Sequence, residues 1–300
     1  MQLKVDHVTV AGASLTPLKE AFAKVGLKAD YGGVHSNEVT HMALLGLDDG
    51  SYLEMISTRQ PRALSPIWHR HIAGDAGLCA WAVEPPNLAD EIKRLTDLGL
   101  QVEGPTHMTR RWPDGALAEW EIASVGEGDP GTLLPFLIKD RTPRQLRVPP
   151  FRGSAGGTDR GRQRADRLGG VAQVVLGVRN LDKAIALFRR VYEFPEPEQL
   201  EHKAFGAMLA RFPDTPVVLA APLKRAEAKP RHYEDDDDAW LEARLHRFGD
   251  VPTACLISVF DIELVIERFE MDQEPEPWFG SQVAWFDDVA LNGIRLGIIG

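Results

Sequence analysis

The sequence begins twice. "VDHVTVAGASLTPLKEAF" occupies residues 5–22, and "VAQVVLGVRNLDKAIALF" occupies residues 171–188, an offset of 166 positions. Each opens on a β-branched run with a polar residue third (His7, Gln173). In each a leucine stands eight further on (Leu15, Leu181), and a helical pattern follows. Two weaker echoes are "LCAWAVEPPNLADEIKRL" from Leu78 and "ACLISVFDIELVIERF" from Ala254. Units this long are not solenoid repeats; they are duplicated modules, each with its own strands and helix.

The helical faces can be read directly. Leu15, Leu18, Phe22 and Val25 form the first; Leu88, Ile92, Leu95 and Leu98 the second. Leu181, Ile185, Phe188 and Tyr192 form the third; Ile262, Val265, Ile266 and Phe269 the fourth. Steps of three and four put each set on one side of a helix, against a sheet. After each helix the period changes to that of strands. The first unit has "VTHMALLGL" and "SYLEMIST" joined by "DDG", a hairpin signal. Later units have "VEGPTHMT", "ALAEWEIASV" and "TLLPFLIKD", then "AFGAMLARF" and "VVLAAPL", then "SQVAWFDD" and "GIRLGIIG". The fold class is therefore α+β: four βαβββ modules, paired into two tandem half-barrel cups. The second strand of each unit is the weakest expectation.

A chain of 300 residues is a natural length for two domains. The expected division is 1–140, a linker at 141–168, and 169–300. The linker is marked by composition. From Asp140 to Leu168 there are eight arginines and three aspartates, so a chain of net charge −10 carries −15 elsewhere. The segment is Gly/Pro-rich with no apolar period, which reads as a connector lying on two acidic domains rather than an anion-binding arm. The net negative charge argues against nucleic acid as a partner. No apolar run spans a bilayer, the start lacks a signal core, and two distant cysteines make no disulfide framework, so a cytoplasmic protein is expected. No Gly-rich phosphate loop points to a nucleotide cofactor.

With four βαβββ modules, the chain resembles the vicinal oxygen chelate superfamily, which includes glyoxalases, extradiol dioxygenases and fosfomycin or bleomycin resistance proteins. Residues 5 to about 140 are similar to its glyoxalase-like branch through "DHVTV", "GGVHSNEVTHMALLGLDDGSYLEMI", "RRWPDG…EWEI" and "LLPFLI". The resemblance implies a divalent metal (Zn, Ni, Mn or Fe) in the cup, held by His or Gln from a first strand and Glu from a last strand. It also implies Lewis-acid chemistry on two adjacent substrate oxygens.

The matching first-strand positions are His7, Cys79 or a neighbour, Gln173 and Cys255; the last-strand positions are Glu54, Leu137, Leu219 or Ala220, and Ile298. Only the first module has both His and Glu. His7 and Glu54 are thus the expected ligands, with His41 as a third if the register across "DDG" turns it inward. Without metal, Glu54 in its apolar strand needs a partner or is expected to have a raised pKa and act as a base. The C-terminal cup is expected to lack a metal site.

"THMTRRWPDGALAEWEI" puts Arg110, Arg111 and Trp112 before a turn and Trp120 after it, at the mouth of the first cup. Arginines suit an anionic group and tryptophans an apolar wall, so these four, with Trp81, are the expected substrate-binding residues. His69 and His71 follow a Ser65-Pro66 helix start and belong to a connector with Trp68 on the cup rim. Asp235–Asp238 precede a helix pattern and read as N-terminal anions; Cys79 and Cys255 read as buried small hydrophobes. Two functions follow: a metal-dependent lyase, isomerase or dioxygenase of the glyoxalase-like type, or a metal-free binding protein of the resistance type. Either is expected as a monomer or homodimer.

Overall fold

The computed structural model of the protein describes residues 3–112, 115–148, 166–223 and 240–300. In the first half β1 (Val5–Ala11) leads into α1 (Leu15–Lys24), then β2 (Asp30–Val34), β3 (Thr40–Gly46) and β4 (Tyr52–Thr58). A short α2 (His69–Ala73) precedes β5 (Gly77–Val83), α3 (Leu88–Asp97), β6 (Val102–Arg111), β7 (Leu117–Val125) and β8 (Phe136–Asp140). The second half repeats this. β9 (Leu168–Gly177), α4 (Leu181–Tyr192), β10 (Glu198–His202), β11 (Ala207–Arg211) and β12 (Val217–Pro222) form one module. After α5 (Trp240–Phe248) come β13 (Val251–Val259), α6 (Ile262–Phe269), β14 (Glu276–Trp278), β15 (Ser281–Trp285) and β16 (Arg295–Ile299).

The strands form two eight-stranded sheets, ordered β2-β3-β4-β1-β5-β8-β7-β6 and β10-β11-β12-β9-β13-β16-β15-β14. The second order is the first shifted by one whole two-module unit, so duplication of a paired module accounts for the restart at Val171. At the centre of each sheet the two leading strands run antiparallel, each with its own last strand parallel outside it. Strands β2, β10 and β14, which the sequence pattern does not mark, are short edge elements of five, five and three residues.

Local chemistry sets the helix ends. Asn87, Asn180 and Asp261 cap α3, α4 and α6, their side chains accepting from backbone N–H groups of the first turn. The predicted apolar faces pack on one side of the sheets: Leu15, Leu18, Phe22 and Val25 with Val8, Val10, Leu53 and Met55 in the first half. Leu98 is the exception on α3, 36% exposed beyond its last turn.

The opposite, concave faces differ. In the second cup α5 lays Leu241 and Leu245 among Phe205, Trp278 and Val283, and the Trp240 indole N–H donates to Phe205 O at 2.9 Å. Aromatic residues fill that cup. The halves meet along β5 and β13, where the half-buried Arg244 donates to Ala76 O (2.6 Å), Leu78 O and Pro252 O (3.0 Å). Desolvation lowers its pKa to about 10. Among the described residues no helix is long and apolar enough to cross a membrane.

Candidate functional site

Strand alternation decides which side chains reach the first cup. β1 pairs in parallel with β4, putting His7 beside Tyr52 and Thr9 beside Glu54. His7 and Thr9 therefore share the concave face with Tyr52 and Glu54. A register shift between Val5 and His7 on the β5 side leaves Asp6 as an extra residue in β1. That irregularity re-aims Asp6: its Oδ1 lies 2.7 Å from His7 Nδ1.

The result is a buried chain of groups. His7 Nε2 stands 3.4 Å from Glu54 Oε2, too poorly aligned for a hydrogen bond, and remains a buried nitrogen without one. His35, from the β2–β3 loop, places Nε2 3.1 Å from Glu54 Oε1 and Nδ1 2.8 Å from Thr40 Oγ1. Thr9 Oγ1 donates to Glu54 Oε2 at 3.3 Å. Burial alone would push the Glu54 carboxyl up. The hydrogen bond from His35 and the charge of His35 and His7 outweigh it and hold the group far below the usual carboxylate range. Burial would likewise lower His7, but the hydrogen bond to Asp6 and the negative charges of Asp6 and Glu54 raise it overall. Glu54 is thus an ionised anchor, and the raised-pKa base expected from its apolar strand is not what this environment makes.

Asp6 is held by a strap that follows β8. A single 3₁₀ turn (Arg144–Leu146) brings Arg144 and Arg147 into the cup. Arg147 donates to Asp6 Oδ1 (3.1 Å) and Oδ2 (2.8 Å), Tyr52 Oη (2.7 Å) and both Asp140 oxygens. Arg144 bonds Asp6, Asp140 and Gly50 O. Desolvation opposes the charge on Asp6, yet Arg147 and His7 hold its pKa well down. Val148 joins Met42, Leu44 and Tyr52 in an apolar cluster. Residues 144–148 fall within the stretch that composition marks as linker; they are a wall of the first cup. The charge run that suggests a connector conceals two arginines whose counter-ion, Asp6, lies about 140 residues upstream.

A cleft of about 480 Å³ opens beside this chain of groups, lined by His35, Tyr31, Gly33, Arg110 and Trp112 among others. Arg110 is 3% exposed. Its guanidinium lies 4.4 Å from the Trp112 ring centroid, and it donates to Arg147 O and, at 3.7 Å, to Met42 Sδ.

A family described as "Glyoxalase-like domain" matches residues 5–192, well over half of the chain. The chain belongs to the glyoxalase-like domain family. The architecture is that of the vicinal oxygen chelate proteins, as the sequence resemblance implied. A hypothetical protein from Staphylococcus aureus is similar at 11% identity and TM-score 0.58, with 99% of this chain and 98% of that one covered. It shares the tandem fold from end to end. Methylmalonyl-CoA epimerase from Mycobacterium tuberculosis is similar at 15% identity and TM-score 0.35, over 44% of this chain and 87% of that one. A variant of the Streptomyces coelicolor methylmalonyl-CoA epimerase, in complex with 2-nitronate-propionyl-CoA, is similar at 14% identity and TM-score 0.35, over 44% and 96%. No curated protein matches the sequence.

In this glyoxalase-like protein His7 and Glu54 come together as expected, but His41 does not join them. Leu44 pairs with Glu54 and His41 with Ser57, so His41 faces away from the cup and its Nε2 lies 2.9 Å from Ser57 Oγ. His35 occupies the place expected of it. It lies within the family word "GGVHSNEVT", where Asn37 and Thr40 form a polar turn that fixes its ring. Trp81 also departs from expectation. It pairs with Val8 rather than His7, sits fully buried on the helix side, and donates to Leu133 O at 3.0 Å. Arg111, next to Arg110, points outward and donates to Gly115 O. Trp112 and Trp120 do line the first cup, Trp120 packing with Ala80, Ala82, Phe136 and Ile138.

Trp68 packs in the same apolar wall, and His71 on α2 stacks on Phe248 at the joint between halves. Cys79 and Cys255 are buried and free; burial pushes the Cys255 thiol up to about 12. Asp114, residues 149–165 and Asp235–Asp238 lie outside the described residues.

His7, His35 and Glu54 are the kinds of donor a divalent cation takes, and the unbonded His7 Nε2 is the atom such an ion would use. Among the described residues no three His, Cys, Asp or Glu are already spaced around a common point. The imidazoles close on the carboxylate instead.

Proposed function

We propose that the first cup is a small-molecule site of the glyoxalase-like type. In this reading His7, His35 and Glu54 hold a divalent cation, and a substrate with two adjacent oxygens enters beside His35. One observation supports it above the others: two imidazole Nε2 atoms converge on the two oxygens of one buried, ionised carboxylate, and one of those imidazoles, His35, also lines an open cleft. Asp6 behind His7 is the outer carboxylate that fixes the tautomer and orientation of a ligating histidine. When bound, the cation would supply Lewis-acid polarisation of the substrate oxygens. The protein's residues orient and exclude water: Arg147 and Arg144 fix Asp6, Tyr52 stacks on the His7 ring at 4.6 Å, and Phe136 packs against its edge. Lyase, isomerase and dioxygenase chemistry all fit this description.

A second reading, capture of a ligand without turnover, is favoured by the other half of the cup. Where a paired module would supply ligands, Ala80, Ala82, Phe136 and Ile138 form an apolar wall. Titration of the purified protein with Zn, Ni, Mn and Fe(II) by calorimetry separates the two. The metal reading expects one site per chain, proton release on binding because His7 must give up its proton, and affinity that rises with pH. His7→Ala, His35→Ala and Glu54→Gln should each abolish the site, and His41→Ala should keep it. No saturable metal binding would overturn the metal reading and leave ligand capture.

A further inference from the structure

Among the described residues, Arg110 is a buried cation of the first cup that no carboxylate pairs with. Asp6 and Asp140 answer Arg147 and Arg144, and Glu54 answers His7 and His35. Among the described residues no carboxylate lies within ion-pair distance of Arg110. It bonds a carbonyl and a thioether, and its Nε is buried with no partner. One face of its guanidinium is covered by Trp112. Desolvation lowers its pKa; the more distant Tyr52 and Glu54 offset that in part, and Arg147 adds to it. A buried charge without a partner is strongly destabilising, and a ligand of opposite charge would supply that partner.

The cleft shows where that counter-charge enters. Arg110 lines it together with His35 and Tyr31. Gly33, at φ 104°, presents no side chain beside the Arg110 stem; a Cβ there would sit 3.6 Å from its Cδ. The other charged residues lining the cleft, Arg111 and Glu38, are exposed and of opposite sign, so water screens them and they offset each other.

We propose that this cleft binds a small carboxylate, with Arg110 as its counter-ion and Trp112 and Tyr31 flanking a short, flat body. Carboxylate is favoured over phosphate because a single guanidinium supplies one positive charge and a planar fork, which matches a planar monoanion. The volume of about 480 Å³ suits a metabolite-sized acid. The inference deepens the small-molecule reading of the first cup but does not depend on metal.

The test is calorimetric titration of the full chain, in chelator, with pyruvate and benzoate, their neutral amides, and inorganic phosphate. The acids should bind and the amides should bind at least about tenfold more weakly. Arg110→Gln should weaken the acids by about thirtyfold or more, Arg110→Lys by less, and Arg179→Gln, an exposed arginine of the second half paired with Asp250, not at all. Equal binding of acid and amide, binding of phosphate alone, or unchanged affinity in Arg110→Gln would overturn the proposal. Should Arg110→Gln fail to fold, the acid–amide comparison on the unaltered protein still decides. Carboxylate binding without any metal site would defeat the metal reading alone; metal binding with no preference for acids would defeat this one alone.

Discussion

In the first cup the third residue of the leading strand, His7, bonds a buried carboxylate and faces another. In the second cup the matching residue, Gln173, accepts from the indole N–H of Trp278 at 2.8 Å. Around His7 stand Asp6, Glu54, Arg147 and Arg110. Around Gln173 stand Trp278, Phe205, Trp285 and the apolar face of α5. The same sheet thus carries two kinds of interior. One is polar, partly unsatisfied and open to a cleft. The other is closed mainly by apolar and aromatic burial, and its buried Gln173 and His202 are taken up by hydrogen bonds from the Trp278 and Phe205 N–H groups. Unsatisfied polarity costs stability and is kept where it serves a ligand. The contrast is the ground for proposing the chemistry in the first copy and a scaffold role for the second.

The sharpest way to break this contrast is Asp6→Ala. It should leave Arg147 with Asp140 as its remaining counter-ion and cost about 2–3 kcal/mol in chemical denaturation. A loss below about 1 kcal/mol would show that the charge cluster is not what holds the first cup together. The pH dependence should come next. Asp6 and Glu54 titrate below their unfolded values, so the stability they contribute is present above about pH 4 and is lost as pH falls through their folded values. His7 titrates above its unfolded value, so its contribution is present below about pH 6.5 and is lost as pH rises through the folded value. His7→Gln should remove the alkaline arm of a stability–pH profile and leave an acid arm. In the second cup Gln173→Leu should cost about 1–3 kcal/mol by orphaning the Trp278 N–H, and it should leave ligand and metal titrations of the first cup unmoved. The smallest effect belongs to His41→Ala: about 0.5–1 kcal/mol for the lost bond to Ser57. Any change in cup chemistry from that variant would contradict its outward register.

The modules were legible because a helix face and a strand face repeat at different periods, and both survive duplication. Leu15, Leu18 and Phe22 needed no partner to announce themselves. His7 and Glu54 were legible as the one His–Glu pair at matching strand positions. What stayed hidden depends on register and on distance along the chain. A period of two made Trp81 and His41 coin-tosses until the pairings Val8–Trp81 and Ser57–His41 were in hand. His35 sits in a loop, where no period speaks for it. Arg144 and Arg147 belong to a stretch whose composition reads as a tether, and nothing local ties them to Asp6. Arg110 and Arg111 are adjacent and chemically identical, and only alternation separates the buried one from the exposed one.

The strap of residues 144–148 bears on how such a chain can be taken apart. The first sheet ends at Asp140, and a recombination or truncation guided by strands would cut there. Such a cut would leave Asp6 with neither arginine, His7 with an unbalanced carboxylate behind it, and Met42, Leu44 and Tyr52 without Val148. The transferable unit is therefore longer than the sheet it contains. What connects the halves is also a component of one of them, and the two copies cannot be exchanged as equivalent cassettes.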